Sequence, residues 1–281
     1  MSDFLTLQQA AERLGVHYMT VYRYVRLGQL NAHKEGGTWR VGRDDLELFQ
    51  HRNGSDSSAA VSRRNVAWHE RLENRLLDGD ASGSWKVIEG AMMAGLVPFE
   101  IYSDVIVPAL ASIGRKWQEG EIGVGEEHVA AVLVGRLIGR LGPRFSRPGR
   151  RKGTVVVAAP SGERHSLNLA MVSDVLQAGG YTVVDLGADL PVEAFQAELE
   201  RRQPLTAVCI GVLNAEARED CRRMIAAARR TVSRSVPVIL GGGAIDGDND
   251  AMSLGADRSA DLHSVVDAVG AGRDESQMVS V

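Results

Sequence analysis

From Thr154 to the carboxyl end, short β-branched runs alternate with helical patterns, and this alternation constrains the fold more than any other feature. The strand-like runs are Thr154–Ala159, Tyr181–Leu186, Thr206–Val212 and Val236–Leu240, with a short fifth at Ala256–Arg258. Helical patterns fall between them, near 166–178, 191–202, 215–232, 247–254 and 261–270. Apolar strands joined by right-handed helical crossovers build a doubly wound α/β sheet with parallel strands. Such sheets take ligands at the carboxyl edge of their strands. The first loop at that edge reads Pro160-Ser161-Gly162-Glu163-Arg164-His165. His165 is therefore a histidine at a ligand-binding edge or a loop histidine with no partner, and position alone favours the latter. No G-x-G-x-x-G opens the first helix, and Gly241-Gly242-Gly243 follows the fourth strand, which weakens a dinucleotide reading. No nucleophile–base pair and no hydrolytic metal cluster stand out, so the chain is not expected to be an enzyme.

The remaining length demands further domains, because 281 residues suggest two or three of about 100–200 residues each. Residues 61–147 carry four helical patterns. Val61–Leu77 and Ser84–Ala94 come first, then a helix that Pro98 can start, then Glu126 to about Leu141. Four such helices with short connections predict a four-helix bundle. Its third and fourth helices meet at Trp117, nine residues and Glu127-His128. Trp117 could be a core residue near a helix end, and Glu126-Glu127 ordinary acids favoured by a helix amino terminus.

Residues 1–52 read as helix, helix, hairpin, helix. Thr6 can cap a first helix that Gly15 stops, a second runs from His17 to Leu27, and Gly28 closes it. Gly36-Gly37 supplies the positive φ angles of a tight hairpin, and Asp44 caps a last short helix. Two short helices and a glycine turn form a helix-turn-helix pattern. Asn53–Ala60 is small and polar, a flexible tether between 1–52 and the bundle.

Bulk properties are ordinary. With 44% hydrophobic and 24% charged residues the chain can build cores, and a net charge of −4 does not exclude a local basic patch. Cys209 and Cys221 lack metal-type spacing and fit a reducing cytoplasm. The amino terminus lacks a signal-peptide pattern and no run approaches a membrane span, so a soluble cytoplasmic protein is expected, with no membrane partner.

Three segments resemble known families. The run Thr20-Val21-Tyr22-Arg23-Tyr24, then Gly28 and the Gly36–Arg40 hairpin, resembles the winged-helix DNA-binding domains of the excisionase and MerR group. The resemblance implies that His17, Tyr18, Thr20 and Arg23 face the major groove, while Lys34, Thr38 and Arg40 on the wing meet phosphates. A protein-binding winged helix stays open, and nearly balanced charge points to an oligomer on a double-stranded DNA operator. The spacing from Trp117 to Glu127-His128 looks like the helical cap of cobalamin-dependent photoreceptor repressors of the carotenoid-regulator type. The segment Glu163-Arg164-His165-Ser166-Leu167-Asn168 resembles the first loop of flavodoxin-like cobalamin-binding domains, with Gly211-Val212-Leu213 and Gly241-Gly242-Gly243 at their second and third segments.

These resemblances imply a multidomain chain: a winged helix-turn-helix (1–52), a linker (53–60), a four-helix bundle cap (61–147) and a cobalamin-binding α/β domain (148–281). They imply adenosylcobalamin as cofactor, His165 as lower cobalt ligand with Glu163 orienting it, and Trp117 over the adenosyl group. His128 is the candidate for the upper position once light has broken the cobalt–carbon bond. The implied function is a light-responsive transcriptional regulator, a repressor that binds DNA in the dark as a tetramer. Asn168 and Gly211 depart from the family pattern, which has glycine and serine there. They leave open another tetrapyrrole such as haem or a bilin, or a partner protein, as the signal. A corrinoid carrier for methyl transfer has a similar body but no use for residues 1–52.

Overall fold

The computed structural model describes residues 4–14, 21, 25, 30–35, 38–46, 49, 67–146 and 148–278. The chain divides into two compact units, Met1–Ala67 and Trp68–Val281.

In the first unit, β1 (Phe4–Thr6) leads directly into α1 (Leu7–Leu14), and a hairpin follows from β2 (His33–Glu35) and β3 (Thr38–Gly42). The strands form an antiparallel sheet in the order β1-β3-β2. Thr6 ends the strand and caps the helix. Its Oγ1 accepts from the Gln9 amide at 3.2 Å while Gln9 Oε1 accepts from the Thr6 amide at 3.0 Å, a reciprocal capping box. β1 is an addition to the sequence reading, because three residues are too few to show an alternation. Val21 and Val25 are helical and join Leu5, Ala10, Leu30, Val41 and Phe49 in one core. The other residues of the second helix expected from His17 to Leu27 lie outside the described residues.

The second unit opens with α2 (Trp68–Leu77) and α3 (Ala81–Met93), the latter capped by Asp80 Oδ1, which accepts from the Gly83 amide at 2.7 Å. Next comes α4 (98–118), in which Pro98–Glu100 and Val107–Gln118 flank a π turn over Ile101–Ile106. The bundle ends with α5 (Val124–Leu141). The sheet comprises β4 (Thr154–Ala158), β5 (Thr182–Asp185), β6 (Ala207–Gly211), β7 (Val238–Gly241) and β8 (Arg258–Ser259). All pairings are parallel and the order is β5-β4-β6-β7-β8. The crossovers are α6 (Ser166–Ala178), α7 (Val192–Arg201), α8 (Arg218–Thr231) and α9 (Gly247–Ser253), and α10 (Val265–Met278) closes the unit.

Residues of β4, β6 and β7 alternate between two buried faces, which is why these strands read as continuous apolar runs. Val155, Val157, Cys209 and Ile239 face one core, and Val156, Val208, Ile210 and Leu240 face the other, with Phe195 and Met224. The first of these cores also takes Leu72, Tyr102, Leu133 and Leu137 from the bundle. Bundle and sheet therefore share one core within the second compact unit. Strand order reverses between β4 and β6, and the loops after these two strands flank the crevice where such sheets bind ligands.

Candidate cofactor site

The loop after β4 is held from several sides. Gly162, at φ +81°, donates to Asp189 Oδ1 at 2.7 Å, and the Asp189 amide donates to the Glu163 carbonyl at 2.7 Å. These contacts turn the Glu163 side chain inward, where it is completely buried. Its Oε2 accepts from the Leu213 amide at 2.6 Å and the Asn214 amide at 2.7 Å, both in the loop after β6. Its Oε1 accepts from the His165 amide at 3.0 Å and lies 2.5 Å from His165 Nδ1. One carboxylate thus ties together the two loops that flank the strand-order reversal.

Burial works to raise the Glu163 pKa, but the amides of Asn214, His165 and Leu213 and the His165 ring together hold it below its usual value. A carboxylate has no proton to give, so His165 Nδ1 carries the hydrogen of this pair, which leaves Nε2 as the nitrogen available to a ligand. The His165 side chain is 59% exposed while Glu163 is 0% exposed, so the free nitrogen faces outward from a fixed base. A carboxylate behind a neutral imidazole is the usual way to orient a metal-binding histidine.

A cavity of about 660 Å³, lined by Asn168 and Leu169 of the helix that follows His165, lies between α6, α10 and the ends of β6 and β7. Asn168, Gly211, Leu213 and Gly241–Gly243 line it, with Ser103 and Val107 contributed by α4. The glycine turn cannot carry side chains at two positions. A Cβ on Gly241 would stand 2.5 Å from the Ala260 carbonyl oxygen, and one on Gly242, at φ +109°, 2.2 Å from that of Val212. A Cβ on Gly243 would meet nothing within 4 Å. Gly211 does not leave a gap: a Cβ there would stand 2.7 Å from Leu169 Cδ2, so Leu169 fills that place. Val212 is fully buried, and its amide donates to the Gly241 carbonyl at 2.8 Å.

The other expected residues are spread more widely. Arg164 has an 85% exposed side chain, 3.9 Å from Asp189, a surface pair of little energetic weight. Ser166 begins α6, and Leu167 lies beneath α5, where a Cβ on Gly135 would stand 3.6 Å from Leu167 Cδ2. Trp117, at the end of α4, is 46% exposed. Glu127 Oε2 lies 2.8 Å from His128 Nδ1 in the first turn of α5, with His128 exposed. Among the described residues, no hydrogen bond or ion pair joins this group to the His165 loop. Asn214 and Ser103 were missed because their contributions, a backbone amide and a cavity wall, leave no trace in residue type.

Among the described residues no three His, Cys, Asp or Glu side chains cluster as a metal cage. A single outward imidazole supplies one donor, so a metal at His165 needs a ligand that brings most of its own coordination, as a macrocycle does. The glycine turn and the adjoining cavity of about 660 Å³ leave room for a tail appended to such a macrocycle.

The comparisons with known proteins give the chemistry of that ligand. Residues 68–141 and 153–261 each match a B12 binding domain family. Residues 153–261 form a B12-binding α/β domain beneath a helical cap. Residues 4–54 match a helix-turn-helix domain family. The chain is 25% identical over 206 residues to a methanol–corrinoid protein of Methanosarcina barkeri, covering 72% of this chain and 78% of that one. It is 27% identical over 154 residues to the HTH-type transcriptional repressor CarH of Myxococcus xanthus, covering 54% of this chain and half, 50%, of that one. The fold of the second unit is that of the monomethylamine corrinoid protein of Methanosarcina barkeri, with a TM-score of 0.63 at 18% identity, covering 72% of this chain and 96% of that one.

His17, Tyr18, Thr20 and Arg23 lie outside the described residues. Lys34 pairs with Trp39 and Glu35 with Thr38 across the hairpin, and Arg40 pairs with His33. Among the described residues no helix is long and apolar enough to cross a membrane.

Proposed function

We propose that this chain is a transcriptional regulator that binds adenosylcobalamin and releases its DNA operator on illumination. The observation that carries the reading is the Glu163–His165 pair: a buried, fully engaged carboxylate fixes an outward imidazole in a chain that also matches a helix-turn-helix family. Adenosylcobalamin, when bound, would supply a cobalt–carbon bond that visible light cleaves. His165 would hold cobalt through Nε2, with Glu163 keeping its ring oriented. The cavity behind the glycine turn would take the nucleotide tail. Trp117 would cover the adenosyl face, and Glu127 and His128 would stand beside it. The winged helix would grip DNA through Arg23 in the major groove and Lys34, Thr38 and Arg40 on the backbone, in a homotetramer that presents several copies. To act as a switch, the loaded state must favour the DNA-binding assembly by about 5.5 kcal/mol if occupancy is to move from 1:99 to 99:1.

The test is to load the protein with adenosylcobalamin in the dark and record its visible spectrum, size and operator affinity before and after light. The expected result is an imidazole-ligated corrinoid whose illumination lowers both size and affinity. A protein that takes up no corrinoid is not this regulator. The similarity to a methanol–corrinoid protein favours a second reading, a carrier of methyl groups. A carrier would hold a corrinoid that exchanges methyl groups with a partner enzyme, and it would show no operator binding.

A further inference from the structure

Asn168 is the feature of the cavity that the corrinoid reading leaves unused. The cavity walls are largely apolar, with Val157, Met171, Cys209, Ile239 and Val265 among them. Most polar side chains on its lining are already engaged. Ser103 Oγ donates to Asp104 at 2.7 Å, Ser259 Oγ to Asp248 at 2.8 Å, and Ser264 Oγ to Asp261 at 2.6 Å. The His263 ring stands edge-on to Phe99, with centroids 5.1 Å apart. Asn168 differs: it is half-buried in the first turn of α6, three residues from His165, and its amide has no hydrogen-bond partner among the described residues.

A carboxamide offers a donor and an acceptor side by side, and adenine presents the matching pair on one edge. A dimethylbenzimidazole lifted off cobalt presents one bare ring nitrogen, an acceptor only. It can take a hydrogen from the amide nitrogen but has none to give the amide oxygen, so it makes one hydrogen bond where adenine makes two. We infer that Asn168 reads the base of the corrinoid's nucleotide tail and favours an adenine base over dimethylbenzimidazole. The inference rests on the corrinoid reading of the site, and it concerns the tail alone, not the adenosyl group on the opposite face of cobalt.

The test is a spectroscopic binding titration of three corrinoids, each in its cyano form. These are cobalamin, the corresponding adenine-tailed cobamide, and tail-less cobinamide, titrated against the full chain and the variant Asn168→Leu. The two bases differ in how readily they leave cobalt, and that difference is common to both proteins. The quantity read is therefore the ratio of adenine-tailed to cobalamin affinity in one protein against the other. The expected result is a ratio about tenfold smaller in the variant, with cobinamide affinity unchanged, matching the loss of one net hydrogen bond. An unchanged ratio, or one that grows, overturns the inference while leaving the corrinoid site standing. If none of the three binds the parent chain, the corrinoid reading falls and the inference falls with it. Asn168→Ala, smaller and helix-compatible, replaces the leucine variant if that one fails to fold.

Discussion

Tyr102 donates its hydroxyl hydrogen to Asp174 Oδ2 across 2.6 Å, joining α4 of the bundle to α6 of the sheet domain. The phenol ring is buried and stacks on Phe145, with centroids 4.7 Å apart and planes 21° apart. Burial, then the hydrogen bond and charge of Asp174, push the Tyr102 pKa upward, so this hydroxyl keeps its proton. The π turn over Ile101–Ile106 sets both Tyr102 against α6 and Ser103 on the cavity wall. Because His165 is the residue that immediately precedes α6, the bond fastens the bundle to the helix that carries the imidazole at its amino end.

Tyr102→Phe is expected to destabilise the second unit by about 1–3 kcal/mol, because the ring still stacks but a partly buried carboxylate loses its donor. Denaturant unfolding measures this. A further change of Asp174 to Leu in the same chain should recover part of the loss, since it removes the stranded acceptor. A Tyr102→Phe variant as stable as the parent would show that the bond carries no net energy.

Asp174 also predicts a pH dependence. Burial raises its pKa above 3.8, the Tyr102 hydroxyl lowers it, and the nearby Asp185 charge raises it again, with a net upward shift. A carboxyl with a raised folded-state pKa binds its proton more tightly when folded. Its contribution is fully present below the unfolded value and is lost as pH rises through the folded one. Asp174→Asn removes that titration, and the amide oxygen can still accept from Tyr102. The stability of the variant relative to the parent should therefore rise from pH 4 towards neutrality and then level off. Thermal melts across that range decide it, and a falling difference would contradict the assignment.

The bond from Tyr102 could not be read from the sequence. Tyr102 sits in a helical apolar pattern beside Ile101, Val105 and Ile106, and its partner is 72 residues away. What was legible followed from short-range periodicity. The inner strands β4, β6 and β7 appeared because both faces are buried, and α6 because Leu169, Val175 and Leu176 repeat at helical spacing. Glu163 and His165 could be paired on paper because one residue separates them. The bonds from Glu163 to the Leu213 and Asn214 amides depend on the strand order bringing two loops together, which residue types do not encode. Gly211 was read as a lost hydroxyl, whereas the structure shows Leu169 in the space beside it, a packing choice visible only in three dimensions.

Glu163→Gln is expected to be costly although it preserves shape. Each Glu163 oxygen accepts two hydrogens, so either orientation of the amide turns its NH2 towards two donors. The expected loss is roughly 2 kcal/mol or more, from buried backbone amides left without acceptors. The His165 ring would also lose the partner that selects its tautomer. Nitrogen chemical shifts should report a hydrogen on Nδ1 in the parent at neutral pH and a mixture of tautomers in the variant. An unchanged tautomer would show that another group orients the ring.

The glycine turn yields a graded set of substitutions. Gly242→Ala should be the most damaging, because a side chain there meets φ +109° and the Val212 carbonyl oxygen at 2.2 Å. That oxygen cannot move freely, since it accepts from the Ala244 amide at 3.2 Å and the Val212 amide is itself bonded to Gly241. A loss of about 3 kcal/mol or more, or failure to fold, is expected. Gly211→Ser should be milder, since only the end of the Leu169 side chain stands in the way and it can rotate. A cost of about 1 kcal/mol fits small overpacking. Gly243→Ala should change stability by no more than about 0.5 kcal/mol, because open space surrounds the new methyl group. That methyl group would nevertheless project at the cavity wall, so corrinoid affinity should fall while the unfolding curve stays in place. Equal effects on stability from Gly242→Ala and Gly243→Ala would show that the Val212 contact does not constrain the turn.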